Sequence, residues 1–220
     1  MNNIIKNTIR VQYVNYWTHP FNDRWLLHFI KNIYKKKYNV IEVKNSKDCD
    51  ILICSVVGDI NNVKKYNAKL KIFFYGENLN LDCFKQYGNI NQLQEYFDLI
   101  IGFLPTDLNK KLIRFPLWFM YYPFYEMTND TNNIIDYIKN ERNKNIKIKK
   151  EYFATLIARH SSLGIRKVIC NNMSKYGKIM YPSNFRKNCS IGPEPNDKIN
   201  FLKKVKYNIC PENSKFPEYY

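Results

Sequence analysis

The chain has 220 residues, 45% of them hydrophobic and 16% aromatic, which is enough for a packed core and excludes global disorder. Thirty-five Lys and Arg against 19 Asp and Glu leave a formal net charge of +16. An excess of that size suits an anionic partner (nucleic acid, acidic lipid or a diphosphate) and is equally met by solvated lysine runs such as 35–37 and 147–150.

The opening segment, MNNIIKNTIRVQYV, holds no long apolar stretch, and no later window reaches the roughly 18 to 20 apolar residues of a membrane span. No transmembrane segment is therefore expected, and a cytoplasmic location is the default. Ile9 to Val14 reads as a first strand. Asn22 or Asp23 can cap a helix whose apolar face is Trp25, Leu26, Phe29, Ile30, Ile33 and Tyr34. Val40 to Val43, Asp50 to Val56 and Lys71 to Tyr75 follow as strands. FDLIIGF, Phe97 to Phe103, is a continuous apolar run, as expected of a strand covered on both faces.

From Arg114 to Pro123 the chain is aromatic and extended, with two prolines that oppose a helix. Residues 126–150 are polar, with one weak amphipathic stretch at Ile134 to Ile138, and read as a connection between a lobe at 1–125 and a second at 151–220. The second lobe begins with a strand at Tyr152 to Ala158 and a helix from Gly164 to Tyr176. A strand at Lys178 to Tyr181, a helix at Lys198 to Lys204 and a strand at Val205 to Cys210 complete it. The alternation argues for α/β layers on a mostly parallel sheet. Only three strands can be placed in the second lobe, fewer than the five or six or so of a doubly wound half.

The six cysteines form no Cys-x-x-Cys pair, and no His lies at zinc-finger spacing, so no metal site is expected. Cys54, Cys170 and Cys210 lie in apolar segments and read as small core residues in a reducing compartment.

Three strand ends carry polar residues suited to chemistry. Glu77, in Tyr75-Gly76-Glu77-Asn78, follows a strand; its carboxylate suits a general base, a helix cap or a partner for a surface lysine. Arg166 follows the donor-rich loop Arg159-His160-Ser161-Ser162 near a helix start, where it can grip a diphosphate or lie solvated on the helix surface. His160 has no evident partner. The last, Glu212-Asn213-Ser214 after Val205 to Cys210, is either a ligand edge or an ordinary turn.

Taken in order, these segments resemble the α-1,3/4-fucosyltransferase family, which transfers L-fucose from GDP-fucose. KIFFYGEN (Lys71 to Asn78) is similar to the family's strand ending in Gly-Glu-Asn. FDLIIGF with IRFPLW (Ile113 to Trp118) is similar to its Asp-x-x-x-Gly-Phe … Arg-x-Pro-Leu stretch, and FATLIARHSSLGIR (Phe153 to Arg166) to its strand-loop-Arg element. VKYNICPENS with Tyr219 resembles the start of its Tyr-Lys-Phe-x-x-x-x-Glu-Asn-Ser signature.

The resemblance implies a GT-B arrangement: a complete N-terminal Rossmann-like lobe on the acceptor side, and the beginning of a second, donor-binding one. It assigns Glu77 as general base, with Arg166, Asn213, Tyr219, Glu212 and His160 on the donor side, and sets Glu77 and Arg166 facing one another across a cleft. It implies an inverting single displacement from GDP-fucose to a glycan hydroxyl, with no cofactor beyond the donor and no metal. The chain departs from the family at Arg159-His160, where Ser-Asn is usual, and at Phe216, Pro217 and Glu218 in place of the signature's glycines. It ends at Tyr220, where Thr-Glu-Lys is expected, so a truncation within the donor lobe, and an inactive remnant or glycan-binding lobe, is the alternative. Dispersed basic residues and the lack of a nucleic-acid motif argue against a nucleic-acid partner.

Overall fold

The computed structural model describes residues 7–17, 24–88, 90–105, 110–116, 131–160 and 164–211. They fall into two compact units, one within residues 1–129 and one within 130–215. The first unit runs β1 (Asn7–Val14), α1 (Trp25–Tyr34), β2 (Tyr38–Val43), β3 (Asp48–Cys54), β4 (Asn67–Phe74), α2 (Ile90–Leu93), β5 (Leu99–Gly102) and β6 (Leu112–Arg114). The strands form one sheet in the order β2-β1-β3-β4-β5-β6. Every pairing in it is parallel.

The central strands read as unbroken apolar runs because both faces are covered. One face takes Leu52, Cys54, Phe73, Tyr75 and Ile100. The other takes Ile53, Ile72, Phe74 and Ile101, packed under α1. The helix buries Trp25, Leu26, Leu27 and Ile30, whereas Phe29, Ile33 and Tyr34, expected on its inner face, are exposed. Its start is fixed from the sheet: the Leu27 amide donates to the Tyr13 hydroxyl at 3.1 Å. The Arg24 guanidinium lies over the Tyr13 ring and pairs with Glu42 at 2.9 Å. These anchors set the helix rotation and turn Phe29 and Ile33 outward. Arg24 occupies the cap position without a side-chain cap bond; Asn22 and Asp23 lie outside the described residues.

Parallel strands usually need a dozen or so residues to cross between them. Residues 44–47 alone connect β2 to β3, on either side of β1. Asn45 takes a left-handed φ of 56°, and the Ser46 amide donates to the Gln12 side-chain oxygen at 3.3 Å. The buried Gln12 amide group also donates to the Tyr13 carbonyl at 2.7 Å, so β1 carries the polar support this short crossing requires.

The second unit runs α3 (Thr131–Ile146), β7 (Tyr152–Thr155), α4 (Ile165–Met173), β8 (Ile179–Met180), α5 (Pro195–Lys203) and β9 (Val205–Asn208). Its sheet is parallel, in the order β8-β7-β9, with the three strands expected there. The polar stretch expected to join two lobes holds α3, a 16-residue helix that belongs to this unit. Ala154, Leu156, Cys170, Ile179, Tyr181 and Ile209 form the core. Cys210 is exposed, unlike Cys54 and Cys170, because β9 has ended by then. Asn188 finishes the short edge strand β8: its side-chain oxygen accepts from the Tyr181 amide at 2.7 Å, and its amide group donates to the Ile179 carbonyl at 2.8 Å. Among the described residues no helix is long and apolar enough to cross a membrane.

Candidate functional site

In open parallel sheets, ligands gather beyond the carboxyl ends of the strands, at the point where strand order reverses. In the first sheet that point lies between β1 and β3. The loops there are tied down. The Asn15 carbonyl accepts from the Ser55 and Val57 amides at 3.2 and 3.0 Å, and the Asn15 side chain donates to the Asp59 carbonyl at 2.6 Å. The Tyr87 hydroxyl donates to the Gly58 carbonyl at 2.6 Å.

Glu77 stands one strand further on, past the carboxyl end of β4. The ladder continues one residue beyond the strand, where the Tyr75 amide donates to the Ile101 carbonyl at 3.0 Å. Gly76 and Glu77 then leave the sheet, both half-buried. The chain is caught again at buried Asn78, whose side-chain oxygen accepts from the Asn80 amide at 3.0 Å and whose carbonyl accepts from the Leu81 amide at 3.2 Å. The following 3-10 turn, Asp82–Tyr87, has Leu81 at its cap position, so Glu77 is not its cap. The arrangement delivers a carboxylate to the ligand edge of the sheet on a short segment held at both ends.

In the second sheet the order reverses at β7. Beyond it the chain runs through Leu156 and Ala158, whose carbonyl accepts from the Phe185 amide at 2.9 Å, to Arg159 and His160. Gly164, with φ of +69°, then sets the entry to α4. Arg166, in the first turn of α4, is only 9% exposed, which excludes the solvated alternative. Its guanidinium donates to the His160 carbonyl at 2.6 Å. No carboxylate of the described residues pairs with it, and the first turn of α4 is free of acidic residues. A guanidinium has five N–H donors, and one carbonyl occupies few of them. The rest are suited to phosphate oxygens, as are the amides of a helix's first turn.

Arg166 and His160 are thus brought together, with His160 acting through its main chain. Sequence reasoning had no signal for that, because any residue supplies the same carbonyl. β9 runs beside β7, and the Ile209 amide donates to the Thr155 carbonyl at 2.8 Å, so the segment after it departs from the same edge. Glu212, Asn213 and Tyr219 lie outside the described residues. Among the described residues no three His, Cys, Asp or Glu side chains gather to hold a metal ion.

The sequence profile of the alpha-(1,3)-fucosyltransferase FucT N-terminal domain matches residues 11–121. The chain belongs to the α-1,3-fucosyltransferase family. A crystal structure of an α-1,3-fucosyltransferase superposes on it with a TM-score of 0.60 at 18% identity, covering 100% of this chain and 66% of that one. The α-1,3-fucosyltransferase crystallised with GDP gives 0.60 at 18% identity, covering 100% and 65%. The one with GDP-fucose gives 0.54 at 18%, again covering 100% and 65%. At that identity the likeness is one of fold, and the first unit is a GT-B-type N-terminal lobe built on its six-stranded parallel sheet. The chain spans 66% of the length of the first of these fucosyltransferases. No curated protein sequence matches it.

Proposed function

We propose that the chain performs the fucosyltransferase reaction of its family, an inverting transfer of L-fucose from GDP-fucose to a glycan hydroxyl. Glu77 takes the proton from the acceptor hydroxyl as that oxygen bonds to the sugar's anomeric carbon. The bond from that carbon to the β-phosphate oxygen breaks on the opposite side, and GDP leaves with the electron pair. Negative charge then grows on the diphosphate, and Arg166 receives it. Glu212, Asn213, Tyr219 and His160 complete the donor side. The reaction needs no metal or organic cofactor, since the guanidinium supplies the positive charge at the leaving group. The free thiols of Cys49, Cys54, Cys83, Cys170 and Cys189 favour the reducing cytoplasm as its setting.

One observation carries this reading: a buried guanidinium, held by a carbonyl and lacking a carboxylate partner among the described residues, at the reversal point of the second sheet. A buried cation so placed is costly unless an anion comes to it.

The test is titration of GDP into the full chain, followed by transfer from labelled GDP-fucose to methyl glycosides of hexoses and N-acetylhexosamines. GDP is expected to bind saturably, and Arg166→Ala to weaken it by about tenfold or more, as loss of a charge-assisted contact requires. Glu77→Gln is expected to cut transfer by about 100-fold or more while sparing GDP affinity. A chain indifferent to GDP, or an Arg166→Ala variant that binds GDP like the parent, refutes the proposal.

A further inference from the structure

Gly102 ends β5, and its backbone does not require a glycine: its φ lies outside the left-handed region, unlike those of Gly58, Gly88 and Gly164. What it requires is room. A Cβ on Gly102 would stand 2.0 Å from one carbon of the Tyr75 ring and 2.2 Å from the next. The Tyr75 ring therefore lies directly across the end of β5, in the space a side chain at 102 would fill. It is held there on two further sides, edge-on to Phe103 at 5.0 Å and stacked with Phe73 at 6.0 Å. The ring is wholly buried, and that burial pushes the Tyr75 phenol up to about 12, so it is neutral at any working pH.

Tyr75, one residue past β4, is also the last residue still in the ladder, and Glu77 follows two residues later, a reach of at most roughly 7 Å. Beyond Glu77 the chain is fixed again by the hydrogen-bonded turn at Asn78. The direction in which the carboxylate projects is thus set by one seat before it and one after it.

We propose that Gly102 and Tyr75 form the seat that positions Glu77, with Gly102 acting as a positioning residue through the space it leaves for the ring. The proposal rests on the assignment of Glu77 as the proton acceptor. A methyl group at 102 pushes the ring off β5, tilts the exit of β4 and moves the carboxylate away from the acceptor oxygen. Donor binding is untouched, since Arg166 belongs to the other unit.

The experiment compares Gly102→Ala, Tyr75→Phe, Tyr75→Ala, the double variant Gly102→Ala/Tyr75→Ala and Glu77→Gln in the full chain. It uses GDP-fucose and the methyl glycosides named above, with GDP affinity measured alongside. Gly102→Ala is expected to lower kcat by up to about 100-fold, the scale of an ångström's misplacement, at unchanged GDP affinity. Tyr75→Phe keeps the ring and is expected within about twofold of the parent, and Gly102→Ala adds no further loss in the Tyr75→Ala background, as sites coupled through one contact do.

A Gly102→Ala chain with parental kcat overturns the proposal, as does one that loses kcat and GDP affinity together, or a Tyr75→Phe loss equal to that of Gly102→Ala. Glu77→Gln at the parental rate refutes the base assignment instead. Should the parent transfer no fucose, the carbon-13 signal and titration of the Glu77 carboxyl decide the matter. Displacement in Gly102→Ala with retention in Tyr75→Phe supports the seat, and no displacement overturns it.

Discussion

The buried Ser55 hydroxyl donates to the Phe74 carbonyl at 2.5 Å, joining the carboxyl end of β3 to that of β4 one residue before Tyr75. The Ser55 amide is itself bonded to Asn15 at 3.2 Å, so the contact links three neighbouring strand ends. Ser55→Ala leaves a carbonyl without its donor in a dry site. The expected loss is about 1–3 kcal/mol of unfolding free energy, read from urea midpoints. A variant as stable as the parent shows that the contact contributes nothing.

Arg166 is expected to set stability against binding. Its replacement by Met removes a buried charge that has no carboxylate partner among the described residues and keeps the aliphatic volume, while the carbonyl of exposed His160 turns to water. The unliganded chain is then expected to gain on the order of 1 kcal/mol of stability as its GDP affinity falls. Thermal unfolding with and without GDP measures both. Arg166→Lys should keep the charge yet recover only part of the affinity, because an ammonium cannot grip two oxygens in the fork geometry.

Asp50 supplies a pH dependence in the first unit. The Arg10 amide, bonded to it at 2.8 Å, and then the Lys69 ammonium, at 2.9 Å, hold its carboxyl below the ordinary value. A lowered carboxyl stabilises the fold at neutral pH. That contribution is lost as the pH falls below 3.8 and through the lower folded value. Asp50→Asn is expected to be less stable than the parent at pH 7, with the gap closing by about pH 2. Urea midpoints at both values test this, and a gap independent of pH excludes the ionised pairing.

Gly164→Ala isolates the conformational demand at the entry to α4. A Cβ there meets nothing within 4 Å, yet the φ of +69° lies in the left-handed region. The expected cost is about 1–2 kcal/mol. Gly164→Asn should lose less, since Asn tolerates that conformation. Equal stability of the Ala variant shows that the backbone relaxes elsewhere.

The strands that proved most legible in the sequence were those buried on both faces. Phe73, Phe74, Ile100 and Ile101 alternate between two apolar layers, so their segments read as unbroken hydrophobic runs. The three-residue β6 escaped notice because only Leu112 of it is buried. α3 was missed because its few isoleucines, among them Ile135, Ile138 and Ile146, stay exposed and give no strong stripe. The 3-10 turn Ile60–Lys65 offers just two buried residues, Ile60 and Val63, too few to show a period. At the site, residue type and position left Glu77 and Arg166 each with more than one reading, and their proposed roles came from the resemblance to the family. The carbonyl that holds Arg166 left no trace in residue identity, and the clearance at Gly102 shows only once Tyr75 is seen crossing β5.

A main-chain oxygen is supplied alike by every amino acid, so what this corner demands of residue 160 is a bend of the backbone. Replacing the imidazole leaves the cation at 166 its footing as long as that bend is kept.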